Sequence, residues 1–444
     1  MPFVRPRIAV STDPDRSSAS DDAPDRPNVV LVLADQLRAA ALGCAGNEQV
    51  HTPTIDRMSE AGVWCSRCYS PDPVCTPARA SLLTGQYPHV HRAIANNVRL
   101  PVGATTLADR LRGAGYETGY VGKWHLDGTP KPGHVPPERR RGFDYWRGFN
   151  RGHQHLRGHP RTAPDGSVDW ETGYQPAVQT DMAIEFVERH AGSDPFFCLL
   201  SWGPPHLPYE APPEYADRYD VDALSLRPNV PDRMAAQARR DLVAYYGMIT
   251  SLDDQMARLF DALDRAGVDD ETLVILTADH GELMGSHGEY YKGRPWEESI
   301  RVPLVWRYPG TLPAGRTVEE PVSLVDVAPT VLSLCGVDVH DGVQGADLAD
   351  VLYGRATTDR AGVYVEHAVG GDDAWRAFRT ADHLLAVDRT GDPDLFFNTA
   401  DDPYQRNDLS DLIHDRQRVR RRLVEAARTY EDRAFLRRIG ERIH

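Results

Sequence analysis

The run VVLVLA (29–34), closed by the polar pair Asp35-Gln36, decides the class of fold. An unbroken apolar stretch of this length is the mark of a strand buried on both faces, as in sheets covered by helices. GYVG (119–122), FFCLLSW (196–202) and TLVILTA (272–278) read as further strands. Helical patterns lie between them. TPTIDRMSEAG starts at Thr52-Pro53 and stops at Gly62, and TLADRLRGAG (106–115) is a second short helix. From Asp241 to Gly267, Leu242, Tyr245, Ile249, Leu252, Met256, Leu259 and Leu263 fall along one face of a long helix. The alternation specifies an α/β domain with a largely buried sheet.

The residues directly after each strand locate the chemistry. The first strand ends in Asp35-Gln36, the second in Lys123-Trp124-His125, the third in a loop with His206, and the fourth in Asp279-His280. Ligands of open α/β sheets bind beyond the carboxyl ends of the strands. A structural explanation suffices for any one of these ends but is strained for all four. Beyond residue 353 the pattern changes to short strands, VYVE (363–366), RAFRT (376–380), HLLAV (383–387) and DLFF (394–397), followed by an Arg-rich helix from about Asp415. The expected organisation is a leader at 1–27, a catalytic domain at 28–353 and a small α+β domain at 354–444.

Composition narrows the function. No apolar stretch approaches the roughly 20 residues of a membrane span. The first 27 residues are polar, rich in Pro, Ser and Asp, and lack the apolar core of a signal peptide, so the expectation is a disordered leader and a cytoplasmic protein. A net charge of −15 argues against nucleic acid but leaves room for a small anion in a locally positive pocket. Six cysteines make no disulfide scaffold, and the lone CxxC at Cys65 and Cys68 reads as two small buried side chains. Of 50 Lys and Arg residues only Lys123, Lys131 and Lys292 are lysines. In so Arg-biased a chain, a retained Lys marks a place where a guanidinium does not replace a compact ammonium.

CTPARASLLTG (75–85) is a helix start: Pro77 suits the first turn, Arg79 lies one turn beyond Cys75, and Leu82 and Leu83 give a buried face. Cys75 therefore sits at the positive end of a helix beside a guanidinium, which leaves both a reactive thiol and an inert cysteine open. The segment resembles the signature of type I sulfatases, Cys-x-Pro-x-Arg followed by Leu-Thr-Gly, at Cys75, Pro77, Arg79, Leu83, Thr84 and Gly85. NVVLVLADQ, GNEQVHTPTIDRMSEAG, GYVGKWHLDG, PPHLPY, ADHGELMGSHG and EESIRVPLV extend the resemblance over most of the chain.

The resemblance implies an alkaline-phosphatase-like fold with a large mixed sheet flanked by helices. It also implies conversion of Cys75 to Cα-formylglycine by a formylglycine-generating enzyme, and hydrolysis of a small sulfate ester through the hydrated aldehyde. Asp35, Gln36, Asp279 and His280, with position 75, match the ligands of one divalent cation, Ca²⁺ first and Mn²⁺ as the alternative. Many sulfatases have Asp-Asp where this chain has Asp35-Gln36. Relatives that cleave phosphonate monoesters and phosphodiesters resemble the combination seen here, so that reaction is the nearest rival. A non-catalytic binding protein is the third reading. By the same resemblance Lys123 contacts formylglycine and the sulfate, His125 is the base for the second hydroxyl, and His206 and Lys292 hold the sulfate and protonate the leaving oxygen. Asn96 resembles an added site residue of the phosphonate-ester branch. The His-rich segment 151–161 is open between pocket wall and surface insertion. Glu297 and Glu298 are expected to be structural, with orientation of Lys292 or Arg301 as their further role.

Overall fold

The computed structural model describes residues 26–358 and 360–440. All but two residues of the expected leader lie outside them. Eight strands form the central sheet: β1 (Asn28–Asp35), β2 (Val63–Cys65), β3 (Glu117–Lys123), β4 (Tyr145–Phe149), β5 (Phe196–Pro205), β6 (Thr272–Ala278), β7 (Leu304–Arg307) and β8 (Arg316–Val318). Their order is β8-β2-β7-β6-β1-β5-β3-β4. The stretch from β6 to β4 is parallel throughout, and β7 runs against both its neighbours. The four strands read from sequence are thus the four contiguous central ones. β1 lies between β5 and β6, with Val30 opposite Cys198 and Val274, and Val29 to Asp35 are all buried.

Helix α1 (Cys75–Thr84) is buried at every position and ends at Gly85, whose φ of 65° closes it with a left-handed turn. Helices α2 (Gln175–His190) and α3 (Asp232–Arg265) pack against each other and on β5. α3 begins nine residues before the expected Asp241, because its opening run DRMAAQARR offers alanines and a single large apolar residue, Met234, and so carries no apolar stripe. The C-terminal strands β9 (Val363–His367), β10 (Trp375–Arg379), β11 (His383–Asp388) and β12 (Pro393–Asn398) form an antiparallel meander covered by α4 (Ile413–Thr429).

This small sheet braces the two segments that flank the site. Glu366 N donates to Pro71 O at 2.8 Å, and His367 Nδ1 lies 2.9 Å from Asp72 Oδ1, three residues before Cys75. Trp375 Nε1 donates to Gly293 O at 3.0 Å, next to Lys292. Cys65 and Cys68 are free and buried, and burial pushes the Cys65 thiol up to about 12, as inert packing residues require. Among the described residues no helix is long and apolar enough to cross a membrane.

Candidate active site

The parallel register sets the strand ends side by side. Ala34 is opposite Ala278, which makes Asp35 and Asp279 neighbours, and Gln36 N donates to Asp279 Oδ1 at 3.0 Å. Gln36 reaches this position in a left-handed conformation, φ 67°. Such backbone strain in a non-glycine residue clusters at functional sites. One ligand atom each from Asp35, Cys75, Asp279 and His280 lies within 4.8 Å of the others, and all four residues are buried. Two carboxylates, an imidazole and the neighbouring Gln36 amide form a donor set that fits a divalent cation.

Arg79 binds this acidic pair from behind. Its Nε donates to Asp279 Oδ2 at 2.8 Å, and Nη2 lies 3.3 Å from Asp35 Oδ2. Nη1 donates to Lys123 O at 2.8 Å and Ser201 Oγ at 2.7 Å. Burial disfavours the charge of the guanidinium, but Asp279 and Asp35 outweigh it and hold its pKa above the ordinary value.

The cations converge on position 75. Lys123 Nζ donates to Asp35 Oδ2. Lys292 Nζ donates to Gln36 Oε1 and lies 3.5 Å from Cys75 Sγ, while His280 Nε2 is 3.2 Å from the same sulfur. Burial pushes the Cys75 thiol up, yet Lys123, Lys292 and His280 overcome it and hold the pKa well below the ordinary value. The field at this helix N-terminus therefore stabilises negative charge. Lys292 keeps its proton: burial opposes the ammonium, and the negative charge of Cys75, Asp35 and Asp279 outweighs it.

His125 and His206 complete the ring of expected residues. Strand β3 ends at Lys123, and His125 adopts φ 59°, so the two reach the site through a tight turn and not along one extended face as their spacing suggested. Neither His125 ring nitrogen has a hydrogen-bond partner among the described residues. Burial and Lys123 lower its pKa to about 4, so the ring is a neutral base at pH 7. His206 donates from Nδ1 to Leu207 O at 2.6 Å, leaving Nε2 unprotonated, and burial followed by Lys292 lowers its pKa.

Asn96 stands one step back: its Oδ1 accepts from Thr76 N at 3.1 Å, capping the first turn of α1. Glu297 and Glu298 do not touch Lys292. Glu297 accepts from Arg379 at 2.7 Å, with Arg301 3.9 Å away, and Glu298 accepts from Arg227 and Asn229. Lys292 is oriented by Gln36, which Glu282 in turn holds through Gln36 Nε2.

The segment 151–161 proves to be a wall of the site. His153 Nε2 lies 3.2 Å from Lys123 Nζ and 3.8 Å from Asp35 Oδ2. The His153 ring stacks on that of His206, with centroids 3.8 Å apart and planes 13° apart. Sequence reasoning flagged the segment without singling out this residue. The available signal was a histidine cluster between two site-bearing strands. A second group of ligand-type side chains, His89, Glu366 and Asp432, is already neutralised by Arg376, 2.7 Å from Asp432 and 3.6 Å from Glu366.

The chain is similar to known proteins over most of its length. The family model described as Sulfatase matches residues 27–337, and the model described as N-sulphoglucosamine sulphohydrolase, C-terminal, matches residues 285–418. The chain is 36% identical to an ulvan-active sulfatase of Formosa agariphila, over 87% of this chain and 78% of that protein. The solved structure of yidJ from Bacteroides fragilis, itself ascribed to the sulfatases, superposes with a TM-score of 0.87 at 30% identity, covering 95% of this chain and all of that one. The phosphonate monoester hydrolase of Silicibacter pomeroyi superposes with a TM-score of 0.74 at 25% identity, covering 90% and 96%.

Proposed function

The chain belongs to the sulfatase family of sulfuric ester hydrolases, and from that premise we propose that it cleaves a small sulfate ester at position 75, with Cys75 matured to formylglycine and one divalent cation bound beside it. A single observation carries this reading. Cys75 sits at a buried helix N-terminus, among two of the chain's three lysines and a cluster of metal-type ligands. Asp35, Gln36, Asp279 and His280 would hold the cation. Matured and with the cation bound, position 75 would supply a hydrated aldehyde, and the cation would lower the cost of deprotonating a hydroxyl there, the chemistry that attack on sulfur needs.

The chain's own residues divide the remaining work. Arg79 holds the carboxylates in place, and Lys123 offers its remaining N–H to an ester oxygen. Lys292, whose pKa is raised, and His206 once protonated share delivery of the proton to the departing oxygen. Burial and Lys292 favour the neutral form of His206, and an anion beside Nε2 favours the charged one, so substrate binding draws a proton from solvent onto His206. His125, with both ring nitrogens free, is the base for the second hydroxyl of the hydrate. Ca²⁺ is the first choice of cation and Mn²⁺ the second.

The test combines mass spectrometry with kinetics. Protein made with a formylglycine-generating enzyme should carry an aldehyde in place of the Cys75 thiol. With Ca²⁺ or Mn²⁺ it should hydrolyse an aryl sulfate faster than an aryl phosphonate monoester, and Cys75→Ala should abolish turnover. A phosphonate rate far above the sulfate rate would transfer the assignment to phosphonate monoester hydrolysis. An unmodified, inactive thiol in protein from the native host would remove the mechanism altogether.

A further inference from the structure

We infer that His153 is a positioning residue of the anion site, one that sets Lys123 and His206 together for the ester. This rests on the proposed reading of that site as an ester-cleaving centre. Lysine ammonium is only a donor, so His153 Nε2, 3.2 Å from Lys123 Nζ, accepts the hydrogen bond. Of the three Lys123 N–H bonds, one goes to Asp35 and one to His153. The third is left for a ligand, in a direction fixed by the other two.

The same imidazole lies flat on His206, rings 3.8 Å apart. Backbone contacts complete the hold. Nδ1 of His206 is tied to Leu207 O at 2.6 Å, and His155 Nε2 donates to His206 O at 2.7 Å. His206 is therefore fixed at one ring edge by Leu207, on one ring face by His153 and at its carbonyl by His155. Its Nε2 edge is left to face position 75. His153 has 13% of its side chain exposed, and its segment joins β4 to the hairpin beginning at His159, so nothing in the central sheet requires a histidine there.

Three substitutions separate the two contacts. His153→Phe keeps a flat ring against His206 and loses the acceptor for Lys123. His153→Gln keeps an acceptor and loses the stack, while His153→Ala loses both. Loosening Lys123 should weaken competitive inhibition by inorganic sulfate roughly tenfold in His153→Phe, the weight of one hydrogen bond to a charged group. Loosening His206 should act on the leaving group. In His153→Gln, kcat for an alkyl sulfate should fall ~10- to 100-fold more than for a nitrophenyl sulfate, because only the poor leaving group needs a well-placed proton.

A merely structural role gives a different pattern. If all three variants keep the sulfate inhibition constant within about twofold of wild type, and slow both esters in the same proportion, His153 is packing and the inference is overturned. His153→Phe and His153→Gln preserve most of the volume and keep the test alive should His153→Ala not fold. Failure of the proposed reaction shows separately, as a wild-type enzyme that turns over neither ester. Calorimetric binding of inorganic sulfate to metal-loaded wild type and His153→Phe then decides the role of His153, and equal affinity, or no binding by either, overturns it.

Discussion

Replacing Arg79 by methionine should destabilise the protein by about 3 kcal/mol, and a divalent cation should repair much of the loss. The guanidinium is 2% exposed and holds Asp279 at 2.8 Å, Asp35 at 3.3 Å, Lys123 O at 2.8 Å and Ser201 Oγ at 2.7 Å. Methionine fills similar space with no charge and no donors. Removing one partner of a buried ion pair costs about 3–5 kcal/mol, because the other charge is left desolvated. Lys123 still neutralises Asp35, and Asp279 keeps the Gln36 and His280 amides and the His280 ring 3.6 Å away, so the lower end applies. Against a typical stability of about 5–15 kcal/mol this is a large fraction.

Two further signatures identify the cause. A cation at 100 times its Kd contributes about 2.7 kcal/mol to either protein, and its affinity for the variant should be higher, since it replaces the missing positive charge. An unpaired buried carboxylate also takes up a proton more readily, so the deficit should shrink as pH falls from 7 to 5. Urea unfolding of both proteins, in EDTA and in excess Ca²⁺ at the two pH values, measures all three quantities. A deficit below about 1 kcal/mol in EDTA, or one indifferent to both pH and cation, would show that Arg79 is not the counter-charge of this pair.

Sulfate binding should be coupled to proton uptake at His206. Inhibition by inorganic sulfate should weaken up to roughly tenfold per pH unit above the depressed pKa of this residue, and calorimetry in buffers of different ionisation enthalpy should register the proton. His91, pushed down to about 3 by burial and by His89, is neutral when folded and accepts from Ala93 N at 3.1 Å. Unfolded, it returns to 6.5, so the unfolded state binds more protons and stability falls as pH drops below 6.5. At pH 5 the loss is about 2 kcal/mol, and His91→Gln should remove that part of the pH slope in denaturant titrations. Trp375→Phe deletes the indole donor to Gly293 O and should lower kcat more than it raises KM, since it frees the segment bearing Lys292 while leaving the metal ligands untouched.

The central strands were legible because a sheet covered on both faces demands unbroken apolar runs, and the shortness and β-branched content of VVLVLA and TLVILTA favour strand over buried helix. Their polar ends were legible for the same reason, since a residue such as Asp35 or Asp279 is conspicuous directly after such a run. What escaped depends on backbone direction or on contacts across the chain. The left-handed conformations of Gln36 and His125 redirect both side chains, and no pattern of residue types announces them. His153 lies 30 residues from Lys123 and 53 from His206, and only the folded loop brings it against both. Gln36 read as a metal ligand in place of the family's more usual Asp, whereas the structure also makes it the acceptor that aims Lys292.

That second role bears on which ester the site takes. Arg79, Lys123 and Lys292 bring three positive charges against Asp35 and Asp279 and, behind Gln36, Glu282, before any cation is counted. An aspartate in place of Gln36 would draw the Lys292 ammonium into an ion pair and lower the positive potential at position 75. The neutral amide fixes the ammonium and keeps Glu282 one residue removed from it, so the Lys292 charge faces the ligand. A sulfate monoester and a phosphonate monoester each present one negative charge on a tetrahedral centre, and this field holds both. Discrimination between them then falls to groups that read the departing and non-reacting parts of the substrate. The wall that carries His153, His155 and His206 is where such groups stand in this fold, and substitution along 151–161 is the place to look for a change of ester preference that leaves the metal site intact.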